Sequence, residues 1–344
     1  MRIAQIMAGS PAGGAELFFE RLTVALHGAG DSVLPLIRRD AGRAARLRAG
    51  GVIPMELPFR GVFDFSTGPS LRRALRGFAP DVAVAWMNRA AHFAPAGTWQ
   101  LVGRLGGYYD LRHYRRCDHL VGNTRGIADW ITSQGWSTDR VHHLPNFVSD
   151  FGGASPASRT SLGVPETSKI VLALGRLHVN KAFDVLIRAL PLLPGVHAVI
   201  AGEGPERAAL EDLARRENVA DRVHLPGWRQ DTGALLAAAD VLACPSRIEP
   251  LGNVVLEAWS AARPVIAAAA DGPVELIRDG RDGVLVPIED SSALAQGIRG
   301  VFEDHYRAAS LAAAGRRRFE ADFAEQPVLA QWRGLLGNLK REMG

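Results

Sequence analysis

DVLACPSRIEPLGNVVLEAW, residues 240–259, reads as strand, turn and helix in twenty residues. The apolar run DVLACP is a buried-strand pattern that ends near Pro245, SRIEPLG carries the proline and glycine of a turn, and a helix starts near Gly252 or Asn253. The first amides of a helix have no internal partners and form the positive end of its dipole, so they favour an anion, above all a phosphate. Glu249 precedes this helix start, and Glu257 lies about five residues inside it, roughly 7 Å further along the axis. Two carboxylates would repel a phosphate. They are suited to accept hydrogen bonds from hydroxyls on either side of one, the layout of a sugar, a diphosphate and a ribose.

The same strand-then-helix rhythm runs outward in both directions. KIVLALG (169–175), HAVIAGEG (197–204), RVHLPGW (222–228), RPVIAAAA (263–270) and DGVLVP (282–287) are further strand candidates with helical stretches between them. In the first half RIAQIM (2–7), VLPLI (33–37), VAVAW (82–86) and DHLVGN (118–123) do the same. Alternation of this kind predicts an α/β protein with parallel sheets covered on both faces. The small-residue, glycine- and proline-rich stretch at 148–168 interrupts it and reads as a linker. The expected division is a Rossmann-like domain over 1–160, a second over 161–322, and a helical segment over 323–344 packing back on the first. Two such halves facing each other leave a cleft at the carboxyl ends of their strands, the default ligand site.

Composition is consistent with a globular chain of about two domains: 344 residues, 47% hydrophobic and 22% charged. No apolar run approaches the ~20 residues that span a bilayer, and the N-terminus reads as a first strand rather than a signal peptide. Cys117 and Cys244 stand far apart, make no metal-ligand spacing and suit a reducing compartment. Residues 1–165 hold 19 arginines, no lysine and 12 acids, a net +7, whereas the remainder holds 21 basic and 24 acidic residues, a net −3. A basic first half attracts anionic partners, but the interleaved aromatic and basic residues of nucleic-acid modules are missing.

Two more loops carry chemistry. In LALGRLHVNKAFDVLIRAL (172–190), Arg176 follows the glycine that ends a strand and Lys181 precedes a helix, so two cations sit where a diphosphate could be neutralised. In GSPAGGAE (9–16), Gly13 and Gly14 permit close backbone approach at a helix start. The spacing is neither the dinucleotide GxGxxG nor a P-loop.

These motifs together resemble the retaining glycosyltransferases of family four, which have the GT-B fold of two Rossmann-like domains. EPLGNVVLE matches that family's Glu, seven residues, Glu pattern. GRLHVNKAFDVLIRAL is similar to its donor loop, and AGEGPE, DRVHLPGW, DGRDGVLVP, GGAE and LPNFV fall in the family's order. The resemblance implies a nucleotide-diphosphate sugar donor, with Arg176 and Lys181 on the diphosphate and Glu249 on the sugar hydroxyls as the catalytic set. It implies that Leu251, Gly252 and Asn253 offer backbone amides, that Glu257 binds the ribose diol, that Gly14 beside Gly13 approaches the diphosphate, and that Gly227 and Trp228 lie near the base. No metal or other cofactor is implied, in keeping with the lack of a D-x-D sequence. The family's histidine in the first domain has no counterpart at the expected place, where LVGRLGGYYDLRHYRRCDHL stands. Arg104, Tyr108, Tyr109, Asp110 and His92 are the acceptor-side candidates. The family's Lys-Gly reads Lys181-Ala182 here.

The function expected is that of a cytoplasmic glycosyltransferase acting at the inner face of the membrane. It would pass a sugar to a hydroxyl of a glycan or lipid-linked acceptor of the cell surface, such as lipopolysaccharide core, with peripheral contact to anionic lipid and no role for nucleic acid. An epimerase or hydrolase on the same scaffold, or a donor-binding protein without turnover, are the alternatives.

Overall fold

The computed structural model describes residues 1–9, 13–60 and 64–342, so three residues of the GSPAGGAE loop, 10–12, lie outside the described residues. The chain forms two compact units, Met1–Phe147 with Glu325–Gly344, and Val148–Ala324.

The first unit contains strands β1 (Arg2–Met7), β2 (Ser32–Arg38), β3 (Met55–Leu57), β4 (Val82–Trp86), β5 (Gln100–Leu105), β6 (His119–Gly122) and β7 (Val141–His143). Helices α1 (Gly14–Gly28), α2 (Ala41–Ala49), α3 (Thr67–Phe78), α4 (Met87–Phe93) and α5 (Arg125–Ser133) connect them. The strands form one parallel sheet in the order β3-β2-β1-β4-β5-β6-β7. Side chains alternate along each strand: Ile3 and Met7 enter one apolar layer, Ala4 and Ile6 the other, which is why these strands are hydrophobic throughout.

The second unit contains β8 (Lys169–Leu174), β9 (Val196–Ala201), β10 (Val223–His224), β11 (Val241–Cys244), β12 (Val265–Ala268) and β13 (Val284–Val286), in the parallel order β10-β9-β8-β11-β12-β13. Its helices are α6 (Phe183–Ala189), α7 (Arg207–Arg216), α8 (Thr232–Ala238), α9 (Asn253–Ser260), α10 (Asp271–Leu276), α11 (Ser291–Glu303) and α12 (His305–Arg318). In each sheet the strand order reverses once, between β1 and β4 and between β8 and β11, and ligands of doubly wound sheets bind at such reversals.

The boundary expected at residue 160 falls instead at 147/148. The glycine- and proline-rich stretch is bound to the second unit rather than free. Val148 is buried in that unit's core, the Ala157 amide donates to the Ala234 carbonyl (2.9 Å), the Phe151 amide donates to Ser260 Oγ (3.3 Å), and Arg159 reaches Asp240. The C-terminal boundary moves from 322 to 324 because Phe323 is buried in the same core. The last helix, α13 (Glu325–Arg341), belongs to the first unit: Trp332 is buried and stacks on Trp86 at 6.2 Å, while Arg333 and Lys340 pair with Asp31 and Asp81. No described helix is long and apolar enough to cross a membrane.

An edge of each sheet carries a histidine pair: His119 Nδ1 and His142 Nε2 are 3.1 Å apart, His197 Nδ1 and His224 Nε2 3.0 Å. Burial lowers the pKa of all four, and each pair's second member is lowered further by the first. A group that binds protons less readily folded than unfolded makes stability rise with pH. Its contribution is therefore whole above the unfolded value of about 6.5 and is lost as pH falls through it toward the folded values. Urea unfolding at pH 7.5 and 5.5 is expected to show a lower midpoint at the acid pH. Replacing His142 and His224 with glutamine should shrink that difference, and an undiminished difference would place the proton uptake elsewhere.

Candidate active site

At the reversal of the second sheet, the carboxyl ends of β8 and β11 lie side by side, since Val171 pairs with Val241 and Leu172 with Leu242. β8 runs out through Gly175 and Arg176, β11 through Pro245 and Ser246. A tight approach holds the first loop: a Cβ on Gly202, just after β9, would collide with the Gly175 carbonyl, so the AGEG sequence is a packing requirement.

Lys181 and Glu249, from the two loops, form an ion pair. Glu249 is buried and Lys181 keeps 25% of its side-chain surface. Burial works to lower the ammonium pKa, but Glu249, with smaller contributions from Cys244 and Glu257, outweighs it and the pKa is raised. Ser246 Oγ donates to the same carboxylate oxygen at 3.2 Å. Cys244 beneath is pushed up to about 11, chiefly by burial, and stays a neutral thiol. Arg176 is exposed and has no carboxylate partner among the described residues.

The turn after Glu249 requires its glycine. Gly252 caps α9 with φ +94°, the left-handed region that side chains disfavour. Asn253 opens α9, Leu251 is buried, and Glu257 sits half-buried one turn further along the helix. The loop is fastened from behind by the Gly272 amide, which donates to the Glu249 carbonyl at 2.8 Å. Ala182 adopts φ +51°, which explains why a glycine suits the position. Gly227 turns at φ +81° and leaves Trp228 56% exposed at the end of β10.

Arg247 is a site residue that the sequence reading passed over. Its guanidinium spans Asp184 at 2.8 and 2.9 Å, reaches Glu289, and donates to the Val179 carbonyl at 2.8 Å. The backbone amides of Arg247 and Ile248 both donate to the Asn180 carbonyl, at 2.8 and 3.2 Å. Arg247 therefore clips the Lys181 loop to the Glu249 loop. Its only sequence signal was an arginine two residues before the Glu-to-Glu motif, indistinguishable there from a surface base.

In the first unit the corresponding reversal, between β1 and β4, opens a cavity of about 350 Å³ lined by Ala8, Gly9, Glu16, Arg38, Trp86 to Arg89 and Tyr109. The Glu16 carboxylate lies against Gly9 and Gly13, where any Cβ would strike it, and Gly14 begins α1 exposed. Of the acceptor-side candidates, Tyr109 lines this cavity and His92 a neighbouring one of about 610 Å³. Tyr108 packs edge-on against Trp130 at 5.4 Å. Asp110 is held by Arg112, which lowers its pKa to about 2. Arg104 is 1% exposed, with its guanidinium over Phe18 and Trp86 and bonded to Asn146.

Two doubly wound parallel sheets, one of them with an acid–base pair beside a helix start at its switch point, define the GT-B class of glycosyltransferase. The chain belongs to the group 1 glycosyltransferases, whose family description it matches over residues 168–304. It is 34% identical over 337 residues to the lipopolysaccharide core biosynthesis glycosyltransferase LpsE of Rhizobium meliloti (strain 1021), covering 95% of this chain and 96% of the relative. LpsD of the same organism is 33% identical over 336 residues, with the same coverage. Anabaena Alr3699/HepE, solved in complex with UDP and glucose, superposes with a TM-score of 0.84 at 22% identity over 98% of this chain and 100% of that one. WaaG, a glycosyltransferase involved in lipopolysaccharide biosynthesis, does so with a TM-score of 0.75 at 19% identity over 98% and 99%. The protein is a glycosyltransferase.

If Arg247 is the clip, Arg247→Ala frees the 178–182 loop without loosening the sheet. Hydrogen exchange of the amides at 180–182 should quicken about tenfold, the equivalent of ~1.4 kcal/mol of local opening, while those of β9 hold. Equal protection in the variant would remove Arg247 from this role.

Proposed function

We infer that the protein is a retaining glycosyltransferase that takes its sugar from a nucleotide-diphosphate donor held by the second unit. It passes the sugar to a hydroxyl of a cell-surface glycan, of the lipopolysaccharide-core type that the names of LpsE and LpsD describe. The observation that carries this reading is the Lys181–Glu249 pair standing beside the start of α9 at the β8/β11 switch point. Arg176 and Lys181 meet the diphosphate with side-chain charge and α9 with backbone amides. Charge developing on the leaving group is then stabilised by groups already in place, and no metal is needed. Glu249 accepts from sugar hydroxyls and Glu257 from the ribose diol, with Trp228 beside the base. HepE, solved with UDP and with UDP-glucose, supports a donor of this chemical class.

We place the acceptor on the first unit. That unit's arginine excess suits a lipid-linked glycan at the cytoplasmic leaflet, where each basic residue near the anionic surface contributes about 1 kcal/mol. Co-sedimentation with phosphatidylglycerol-containing vesicles should be salt-sensitive, and binding indifferent to salt or to the anionic lipid would remove the membrane part of this reading.

Thermal-shift screening against a panel of nucleotide sugars is expected to give a stabilised melt with at least one donor. Arg176→Ala and Glu257→Ala should each abolish most of the shift, with unliganded melting temperatures near the parent's. A shift that persists in both variants would put the donor somewhere else. Release of free sugar with every acceptor extract and no transfer would turn the reading to a hydrolase.

A further inference from the structure

We propose that the cavity at the β1/β4 reversal receives an anionic sugar, one that carries a phosphate or a carboxylate. This rests on the reading that the first unit holds the acceptor, and it names the acceptor's chemical class.

The cavity walls carry more cations than anions: Arg38, Arg60 and Arg89 against Glu16 and Asp64. Arg38 ends β2 and Arg89 lies on the first turn of α4. Both are exposed on the cavity rim and neither has a carboxylate partner among the described residues. The neighbouring cavity shares Asn88 and Arg89 with the first and adds Arg60, His92 and His113, so the two form one continuous lining. Two carboxylates are present, and both are engaged. Glu16 is buried against Gly9 and Gly13. Asp64 receives the amides of Arg60, Ser66 and Thr67 and both hydroxyls of Ser66 and Thr67. Burial works to raise the Asp64 pKa, but these bonds prevail and hold it well below the usual range. It is an anion fixed inside its own turn rather than a counter-ion for the arginines.

Beneath the wall lies Arg104, fully buried, with its guanidinium 5.0 Å from the centre of the Trp86 ring that lines the cavity. Its Nε and Nη1 have no hydrogen-bond partner among the described residues. Burial lowers its pKa to about 10, with Tyr109 and Glu16 among the groups that oppose the change, so it remains charged near neutrality. A buried cation with unmet donors is costly unless an anion comes close. The backbone at the mouth is held in an uncommon state as well: Met87 has φ +65°, a left-handed conformation that costs energy in a side-chain-bearing residue. A neutral sugar would satisfy Asn88 and the Tyr109 hydroxyl but would leave the arginines without partners. A phosphate or carboxylate on the sugar matches their forked geometry.

The test is ligand-observed NMR titration of the full chain with three probes: glucose 6-phosphate, glucuronate and glucose. The two charged probes are expected to bind and glucose not. Arg38→Ala and Arg89→Ala should each weaken binding about tenfold or more, and Arg176→Ala should leave it unchanged. Preference for glucose 6-phosphate assigns the group as phosphate, and preference for glucuronate assigns it as carboxylate. Glucose binding as tightly as the charged probes, charged-probe binding that survives both cavity variants, or loss confined to Arg176→Ala would overturn the proposal. So would failure of all three probes to bind. The nucleotide-sugar shift of the parent protein reports the donor reading separately and stays intact if only the acceptor chemistry is wrong.

Discussion

One ion pair organises the second unit. Lys181 and Glu249 come from loops that leave neighbouring strands, and neither could be buried alone, because an unpaired charge in such a place costs several kcal/mol. The loops must therefore be held at a fixed separation. The rest of the site accomplishes that: Arg247 and the Asn180 carbonyl tie one loop to the other, Gly272 ties the second to α10, and Gly202 lets β9 press on the first. Rigidity here has an electrostatic cause. Groups fixed before substrate arrives need no reorganisation when charge develops on a leaving group.

The two units share a topology and differ in electrostatics. Each has its candidate site at the single reversal of its strand order. In the second unit the central lysine is paired, so the site is close to neutral and its selectivity comes from geometry. In the first unit Arg38 and Arg89 on the cavity rim have no carboxylate partner among the described residues, and Arg104, buried beneath the wall, keeps two donors without a partner among them. A site with that imbalance selects by charge first and by shape second, and it draws its ligand from a distance that shrinks as salt rises.

Much of this was legible in the sequence, for stated reasons. Strands buried on both faces are apolar throughout, so β1, β4, β8, β9 and β11 stand out, and the Pro-Leu-Gly turn before Asn253 marks the start of α9 directly. β5 did not stand out, because Gly103 and the buried Arg104 interrupt its apolar run, and β3 and β7 are three residues each. The domain boundary was placed late because composition alone cannot tell a free linker from a segment bonded across a neighbouring surface, as Phe151 and Ala157 are. Within the site, charge and spacing revealed Lys181, Glu249 and Glu257 but not Arg247, whose partners Asp184 and Glu289 lie 63 and 42 positions away. Tyr109 and Tyr108 are adjacent and chemically identical, and only the fold decides that the first lines the cavity while the second rests on Trp130.

A tight pair between the very residues assigned to the donor could be read as a closed site, and the atoms argue against that. Both contacts that the structure gives the Glu249 carboxylate, from Lys181 and from Ser246, fall on Oε2. Oε1 is left to accept a sugar hydroxyl. The Lys181 ammonium has three N–H donors, of which Glu249 takes one. The remaining donors can turn to a phosphate without breaking the pair, and the phosphate would further favour the charged lysine. The pair is thus compatible with the proposed donor: the carboxylate keeps the ammonium charged and placed, and a diphosphate could join on the side the carboxylate does not occupy. On the proposed reading, Glu249 would serve the leaving group indirectly through Lys181 and the sugar directly through its second oxygen, so that one acid could meet both needs at this point.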